Sequence, residues 1–384
     1  MKSTETNRRD VRCLLVLAAV TAALIFLYGE IDYTKDAFTK WDSIIYRGMA
    51  SAAPRLDPLA PRPFAFRLLG PYLVGLVPGS TDAAFLVANR ILSAILIFLM
   101  YAFLRRFGLR PEAACVATIL YACNKHFFGF TSWNYFHIND VLTNVFLIIL
   151  FWSMYESRWL LFAAVFCLAI ATRETALAMI PTGTLFLFET KTVRRDGGRL
   201  IAALIPGMAC FAALHLAIHP VSGQTLAEAF SVHWTKLTSL ERMYHIMINP
   251  FVPLTLVPLV FLKRTIAFFR GRAYLLIYVL IIASAPFVGA NNERLLNPAS
   301  IVFYPLVGFI IQERVWPHKG LLSLVLAGGL LSHMHWLVAR YPLPSRNATA
   351  VLSGGSLIAI TLALALHALF VKSTEGSDRE PSSE

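Results

Sequence analysis

Charged residues are scarce in this chain, and acidic residues are scarcer than basic ones. Of 384 residues 15% are charged and 57% are hydrophobic, and the mean hydropathy is +0.63. So apolar a composition excludes a soluble globular protein and predicts an integral membrane protein. Lys and Arg outnumber Asp and Glu by 34 to 22. The basic residues are spread in small clusters between apolar segments, which is typical of cytoplasmic loops and does not indicate nucleic-acid binding.

Cysteine is also rare, and its positions exclude a disulfide framework or a zinc site. The five cysteines all fall inside predicted membrane spans: Cys13, Cys115, Cys123, Cys167 and Cys210. There they are expected to pack as small apolar side chains. Hydrophilic segments long enough to form a soluble domain are missing as well. The function is therefore expected to reside in the membrane domain and its outer loops.

Long apolar runs, in contrast, are abundant. A helix needs about 20 residues to cross the hydrocarbon layer. Twelve transmembrane helices are predicted, near residues 11–28, 84–104, 112–128, 138–155, 159–172, 175–190, 200–219, 249–262, 273–289, 298–311, 321–338 and 350–371. The basic clusters "NRRDVR", "RRFGLR", "ETKTVRRDGGR" and "KRTIAFFRGR" then share the side of the N-terminus, which predicts that both termini are cytoplasmic. Residues 159–189 are expected to form two short helices that turn back at "TRET", because a single crossing would separate these clusters.

The expected organisation is all-α, with a single transmembrane domain over residues 1–371. The apolar N-terminus is interpreted as a retained first helix, since no small-residue cleavage pattern follows it. The two longest outer segments are residues 29–83 and 220–249. The polar tail 372–384, "KSTEGSDREPSSE", lacks apolar periodicity and is predicted to be disordered and cytoplasmic.

The first outer loop contains a predicted amphipathic helix between Asp36 and Ala53. Apolar residues recur in it at intervals of three and four: Phe38, Trp41, Ile45, Met49 and Ala52. Such a helix is expected to lie flat on the membrane, with Asp42 and Tyr46 on one flank at the boundary between lipid and water. A solvated surface residue is the alternative for Asp42. The start of the loop holds four acids, Glu30, Asp32, Asp36 and Asp42, which could bind a divalent cation, although no ligand spacing demands one.

Several short motifs together resemble the GT-C superfamily of integral-membrane glycosyltransferases. They are the acid-bearing loop after the first helix, "DSIIYRGMA", "PFAFRLLGPYL" and "ATRETAL". "EIDY" and "KWDSIIY" are also similar to acidic elements in the same loop of mannosyltransferases of the GPI-anchor pathway. The resemblance implies a helical bundle with an active site at the extracytoplasmic face of the membrane. It also implies a polyprenyl-phosphate sugar donor, inversion at the anomeric carbon, and one catalytic carboxylate in the first outer loop.

Carried onto this sequence, the carboxylate is Asp42 or, as the second choice, Asp32. Glycosyl transfer needs a base for the acceptor hydroxyl and positive charge for the departing phosphate. Arg67, Arg173 and Arg294 are the candidates for phosphate contact. For Arg67 the alternative is snorkelling to lipid headgroups, and for Arg173 an ion pair with Glu174 that ties two helices together. The acceptor would be a glycan, a lipid or a protein, and the expected location is the bacterial inner membrane.

Further polar residues at the outer ends of spans are candidates for substrate binding. They are Glu30, Tyr46, His137, Asp140, Glu174, His233 and Glu293. His137 and Asp140 are spaced i and i+3 and could share a substrate or a metal. Alternatively, Asp140 caps its helix and His137 is an interfacial aromatic residue. His233, next to Trp234, suits either sugar stacking or lipid headgroup contact.

Three other functions fit parts of the sequence. A transporter or flippase of lipid-linked glycans would use polar and charged residues inside spans, such as Asn89 and Arg90. A polymerase or ligase of the O-antigen type would rely on outer-loop arginines without an essential acid. A purely structural membrane partner would show no turnover.

Overall fold

The computed structural model describes residues 2–35, 38, 41–220, 222–223, 225–234, 238–289 and 291–377, except for the side chains of residues 2–6, 226 and 371–377. All regular elements in these ranges are helical. The α-helices are α1 Lys2–Tyr28, α2 Ser43–Ala52, α3 Leu69–Gly75, α4 Thr81–Arg106, α5 Pro111–Ala122, α6 Phe130–Trp133, α7 Ile138–Tyr155, α8 Trp159–Thr172, α9 Met179–Glu189, α10 Val193–Ala217, α11 Leu226–Trp234, α12 Leu240–Met247, α13 Val257–Val260, α14 Leu262–Phe269, α15 Ala273–Ser284, α16 Asn292–Leu295, α17 Ser300–Ile310, α18 Lys319–Ser332 and α19 Arg346–Ser377.

Five helices are long and apolar enough to cross a membrane, namely α1, α4, α7, α10 and α19. A sixth candidate is the pair α14 and α15, which is bent by 108°. These helices are compatible with an integral membrane protein, but they do not confirm the predicted count of twelve. α5, α8 and α18 are apolar and have only 12, 14 and 14 residues, less than the ~20 that a full crossing requires.

α7 is the central helix of the bundle. In this helix 78% of the residues are buried, against 17% to 33% for the other four long helices. It packs against α3, α4 and α8, so its surface faces protein on all sides. Polar side chains at its first turn must therefore find partners inside the protein, because water is excluded there.

The four basic clusters meet at one end of the bundle, as their predicted common side requires. Arg105 of the second cluster binds Asp10 of the first at 2.8 Å. The second and third clusters contact adjacent residues after α7, with Arg106 3.8 Å from Glu156 and Arg195 3.5 Å from Ser157. The second and fourth clusters contact adjacent residues after α17, with the Arg110 backbone N–H 2.6 Å from Gln312 and Arg264 3.1 Å from Glu313. α1 runs from this end to the opposite one. There the backbone N–H of Ile31 binds the carbonyl of Trp133, next to the start of α7.

Residues 159–189 form the expected hairpin of two short helices. α8 ends at Thr172, and the extended backbone of Arg173 (φ −167°, ψ 138°) interrupts the helix before a 3-10 turn leads into α9. The chain then returns to its starting end, where the ring of Phe186 in α9 lies 5.6 Å from that of Tyr155, which precedes α8. Arg173 and Glu174 are thereby placed at the tip of the hairpin.

The helix in the first outer loop is shorter than predicted. It begins at Ser43 instead of Asp36, a residue outside the described ranges. Its buried residues are Ser43, Tyr46, Met49 and Ala50, so the face turned to the protein is centred on Tyr46 and Met49. Ile45 of the predicted stripe is half-buried and packs at the edge of this face. This face packs against α3 and α4, which fixes the first loop to the bundle.

The C-terminal tail also differs from its prediction. α19 continues to Ser377, so residues 372–377 are helical where the sequence predicted disorder. Residues 378–384 lie outside the described ranges. The prediction placed the end of the span at 371, whereas helical backbone hydrogen bonds continue for more than a turn.

The contact between α2 and α3 depends on the absence of a side chain at Gly75. A Cβ there would lie 2.1 Å from the Ala50 carbonyl oxygen and 2.8 Å from the Cβ of Ala53. We therefore expect Gly75→Ala to push the two helices apart and to lower the free energy of unfolding by about 1–3 kcal/mol. Thermal unfolding of the purified protein in detergent measures this effect.

Gly354→Ala in α19 is the matched control, since a Cβ at this position meets nothing within 4 Å. It should leave the melting temperature unchanged or raise it slightly, because alanine favours helix. Equal melting temperatures for both variants would contradict the proposed close contact.

Candidate active site

Charged side chains from five parts of the chain converge at the end of the bundle opposite the basic clusters. We call this group the charged cluster. Its members are Asp42 before α2, Arg67 after the 3-10 turn Phe64–Phe66, His137 and Asp140 at the start of α7, Arg173 and Glu174 at the hairpin tip, and Arg294 in α16. All seven were predicted as site residues from the sequence. The structure places them together, which tests their proximity but not their roles.

Asp140 and Arg173 form the innermost ion pair of the charged cluster. Nη1 of Arg173 donates to Oδ1 of Asp140, and both residues are buried. Asp140 does not cap α7, because its Oδ1 accepts from the Arg173 side chain and its Oδ2 makes no hydrogen bond. Oδ2 of Asp140 also faces Nε of Arg294 at 3.5 Å. The sequence alternative of a helix cap is therefore wrong for Asp140.

Arg67 and Glu174 form a second ion pair on the outer side of the first. Nε of Arg67 lies 3.2 Å from Oε2 of Glu174, and Nη2 donates to Oε1, so the contact is bidentate. The Glu174 side chain is 45% exposed. Partial desolvation opposes its ionisation, but Arg67 outweighs this effect and holds the pKa of Glu174 down at about 2. Arg67 itself is buried. Its guanidinium thus binds a protein carboxylate instead of reaching lipid headgroups.

The neighbours Arg173 and Glu174 do not pair with each other. The extended backbone at Arg173 directs the two side chains to different partners, Asp140 and Arg67. The predicted alternative of a local Arg173–Glu174 pair is therefore incorrect. Two ion pairs to other segments, Arg173 with Asp140 and Glu174 with Arg67, hold the hairpin tip against the rest of the bundle.

Asp42 belongs to the third group, with Arg294 and His137. Nη1 and Nη2 of Arg294 each lie 3.4 Å from Oδ2 of Asp42. Nη1 also lies 2.7 Å from Nδ1 of His137. Burial and the charge of Arg294 lower the pKa of His137 to about 3, so its ring is neutral at pH 7 and accepts from the guanidinium. The Asp42 side chain is 31% exposed, and its carboxylate remains reachable.

Aromatic rings form the walls around this third group. The ring of His137 lies 6.1 Å from Tyr46 and 5.2 Å from Phe130, and the guanidinium of Arg294 lies 5.9 Å from the Phe130 centroid. Burial raises the pKa of Tyr46 to about 12, which keeps its hydroxyl protonated. Apolar walls with a few convergent polar groups are typical of small-molecule sites.

Several polar atoms in the charged cluster have unused hydrogen-bonding capacity. Oδ2 of Asp140, Nε of Arg173 and Nε of Arg294 are buried and make no hydrogen bond of acceptable geometry. Buried polar groups without partners are uncommon and call for an explanation. Two donors and one acceptor that point into one site could be satisfied by water or by a bound ligand.

Three predicted residues lie elsewhere. Asp32 is fully exposed, and hydrogen bonds from Thr34 hold its carboxylate and lower its pKa. Glu30 is exposed as well. His233 lies on α11 within the second outer segment. Asp42 therefore lies apart from Glu30 and Asp32, the other acids at the start of its loop that the structure describes. Among the described residues, no group of three or more His, Cys, Asp or Glu side chains could hold a metal ion.

Glu293 faces away from the charged cluster, although it adjoins Arg294. Its Oε1 lies 2.6 Å from Nδ1 of His245 and accepts from Asn249 at 2.8 Å. Nearby lie Lys125, His126 and His335, which line one cavity. None of these three residues was predicted as a site residue. The signal that could have revealed them is a lysine within the apolar segment 112–128, since intramembrane ionisable residues are costly.

Comparisons with known proteins add no assignment: no protein-family model, no curated protein and no solved structure matches this chain. The geometry of the site is therefore the basis for the proposals below.

The Asp140–Arg173 pair is expected to be essential for stability. Asp140→Asn leaves the buried guanidinium of Arg173 without its main counter-charge, which typically costs about 3–5 kcal/mol. Thermal unfolding in detergent should show a large drop in melting temperature. Adding Arg173→Met should recover part of the loss, because the unpaired charge is removed.

Asp82→Asn is the matched control. Asp82 accepts from Arg47 at 2.6 Å, but the two side chains are 44% and 34% exposed. Exposed pairs of this kind contribute about 0–1 kcal/mol. If Asp140→Asn destabilised the protein no more than Asp82→Asn does, the charged cluster would not hold the bundle together.

Proposed function

We propose that this protein is an inverting glycosyltransferase that moves a sugar from a polyprenyl-phosphate donor to an acceptor hydroxyl. Asp42 is the general base. The site would face the extracytoplasmic side of the bacterial inner membrane, with both termini in the cytoplasm and about twelve membrane passes, as the apolar segments of the sequence predict. The motif resemblance to the GT-C superfamily and the position of Asp42 support this proposal.

The observation that carries the proposal is that Asp42 is the least constrained carboxylate in the charged cluster. Asp140 is buried and ion-paired, and Glu174 is held by two bonds from Arg67 with its pKa at about 2. The contact between Asp42 and Arg294, in contrast, is long: Oδ2 of Asp42 lies 3.4 Å from Nη1 of Arg294. Charge-assisted bonds between N and O normally measure about 2.7–2.9 Å. A base must be free to take a proton, and Asp42 meets this condition best.

The reaction in this site is a single displacement. The Asp42 carboxylate takes the proton of the acceptor hydroxyl, whose oxygen bonds to the anomeric carbon. The bond from that carbon to the phosphate oxygen breaks, and the polyprenyl phosphate departs with the electron pair. Arg294 can move from its long contact with Asp42 to the phosphate, which would stabilise the leaving group. Arg67 and Arg173 stabilise the departing phosphate through the positive electrostatic potential of their guanidinium groups.

The transporter alternative receives less support from the positions of Asn89 and Arg90. The side-chain amide of Asn89 donates to the Thr131 carbonyl at 3.1 Å, and Arg90 donates to the Ser132 carbonyl at 2.8 Å and to that of Gly29. Their polar groups thus satisfy backbone carbonyls around α6. In a translocation pathway they would be expected to face an open cavity near the midplane.

Asp42→Asn should therefore lower the rate of transfer by about 10²-fold or more, the usual contribution of a positioned base. The measurement follows transfer of radiolabelled hexose from a panel of polyprenyl-phosphate hexoses to acceptors in a membrane extract, catalysed by purified protein in detergent. Asp42→Glu, which keeps the carboxylate, should restore part of the activity.

Asp32→Asn is the matched control in the same loop and should retain activity within about twofold, since Asp32 faces solvent. Thermal unfolding checks that both variants fold. Wild-type turnover by Asp42→Asn, or an equal loss in Asp32→Asn, would refute the role of Asp42. A larger loss in Asn89 or Arg90 variants would favour a transporter.

A further inference from the structure

A second polar site lies next to Phe130, which also borders the charged cluster. The cavity there measures about 30 Å³, and its lining includes Lys125, His126 and His335, with Phe130 as one apolar wall. The Phe130 ring also lies 5.9 Å from the guanidinium of Arg294 and 5.2 Å from the ring of His137. The same aromatic ring therefore borders both this cavity and the third group of the charged cluster.

Lys125 is a largely buried cation without a paired anion. Its Nζ donates to Oγ of Ser353 at 2.6 Å, and among the described residues no carboxylate lies within ion-pair distance of it. Glu293 is the acid whose negative charge influences Lys125, and it is already hydrogen-bonded to His245 and Asn249. Charges of this kind are costly to retain and usually serve a function.

His126 adds a second unsatisfied group to the same cavity. It lies in the π-helical turn Lys125–Gly129, whose start is fixed by the Asn124 side chain, which accepts from the backbone N–H groups of His126 and Phe127 at 3.0 Å. The Nε2 atom of His126 is buried and has no hydrogen-bond partner. π-Helical turns occur frequently at functional sites. Lys125 and His126 are therefore held in place with hydrogen-bonding capacity to spare.

The charge balance of the two sites differs. In the charged cluster three arginines face three carboxylates, so each guanidinium already has an anionic partner. The cavity has an ammonium group and two imidazoles, and the one acid nearby is bound by other residues. A ligand with a negative charge is stabilised more by an uncompensated cation than by arginines that must first leave their carboxylates.

We propose that Lys125, His126 and His335 bind a phosphate ester group, namely the phosphate of the lipid-linked donor. This inference rests on the proposed glycosyl transfer for the identity of the ligand. A cavity of this size holds about one water-sized group, so one phosphoryl oxygen enters it and the remainder of the phosphate lies at its mouth, toward Arg294. Lys125 then contacts the phosphate from inside the cavity, and Arg294 contacts it from the adjoining charged cluster.

Binding of farnesyl phosphate in detergent tests this site without any transfer reaction. Farnesol serves as the uncharged probe and inorganic phosphate as the free anion, and the readout is the concentration dependence of thermal stabilisation. We expect farnesyl phosphate, but not farnesol, to stabilise the wild-type protein. Lys125→Met should weaken this binding by about tenfold or more, as for loss of a charge-assisted hydrogen bond, whereas Lys125→Arg should retain most of it.

Lys263→Met is the matched control, because Lys263 is exposed in α14 and should bind the probe as the wild type does. Stabilisation by inorganic phosphate as well would mean that the site takes a free phosphate, and its absence would mean that the lipid is required; both results support an anion site. Unchanged affinity in Lys125→Met, or equal binding of farnesol, would overturn it.

The two proposals can fail separately. Asp42-dependent transfer together with Lys125-independent binding would remove only the phosphate site. Lys125-dependent binding in a protein that transfers no sugar would remove only the glycosyltransferase. Melting of each variant without ligand shows whether it folds, and Lys125→Met is expected to melt no lower than the wild type, since a desolvated charge is removed.

Discussion

The buried ion pair between Asp140 and Arg173 is the interaction on which the rest of the site depends. Separating two such charges in a low-dielectric interior is costly, so the first turn of α7 and the hairpin tip must stay together. The other charged residues are arranged around this pair: Arg294 faces Asp140 and Asp42, and Arg67 binds Glu174. The loop that carries Asp42 is held against the bundle by the contact of α2 with α3.

Much of the candidate site could be predicted from charged residues next to apolar segments. Arg173, Arg294 and Asp140 stand out because desolvation forces such residues to find partners inside the bundle. The hairpin at residues 172–178 followed from the distribution of basic clusters. Local sequence motifs narrowed the candidates for the catalytic carboxylate of the first loop to two residues, Asp42 and Asp32. The choice of Asp42 over Asp32 as the acid that reaches the site depends on how the loop folds back onto α7, and no spacing in the sequence encodes that.

The sequence was less informative where backbone geometry determines where helices end and which side chains pair. Apolar length predicted twelve spans, but buried short helices are as apolar as spanning ones, so composition cannot distinguish them. The apolar segment near Lys125 was interpreted as a continuous span, whereas its helix ends at Ala122 and a π-helical turn follows. Likewise, adjacency of Arg173 and Glu174 suggested a local pair, but one extended residue is enough to send the two side chains to different partners.

The single-turn helix α16 joins the two polar sites mechanically. Glu293 reaches toward His245 and Asn249, while its neighbour Arg294 reaches toward Asp42 and His137. Because both side chains belong to one four-residue element, a displacement of this element alters the two hydrogen-bond networks in concert. If a ligand in one site displaces this element, binding at the two sites is thermodynamically linked, and by reciprocity each site changes the ligand affinity of the other by the same factor.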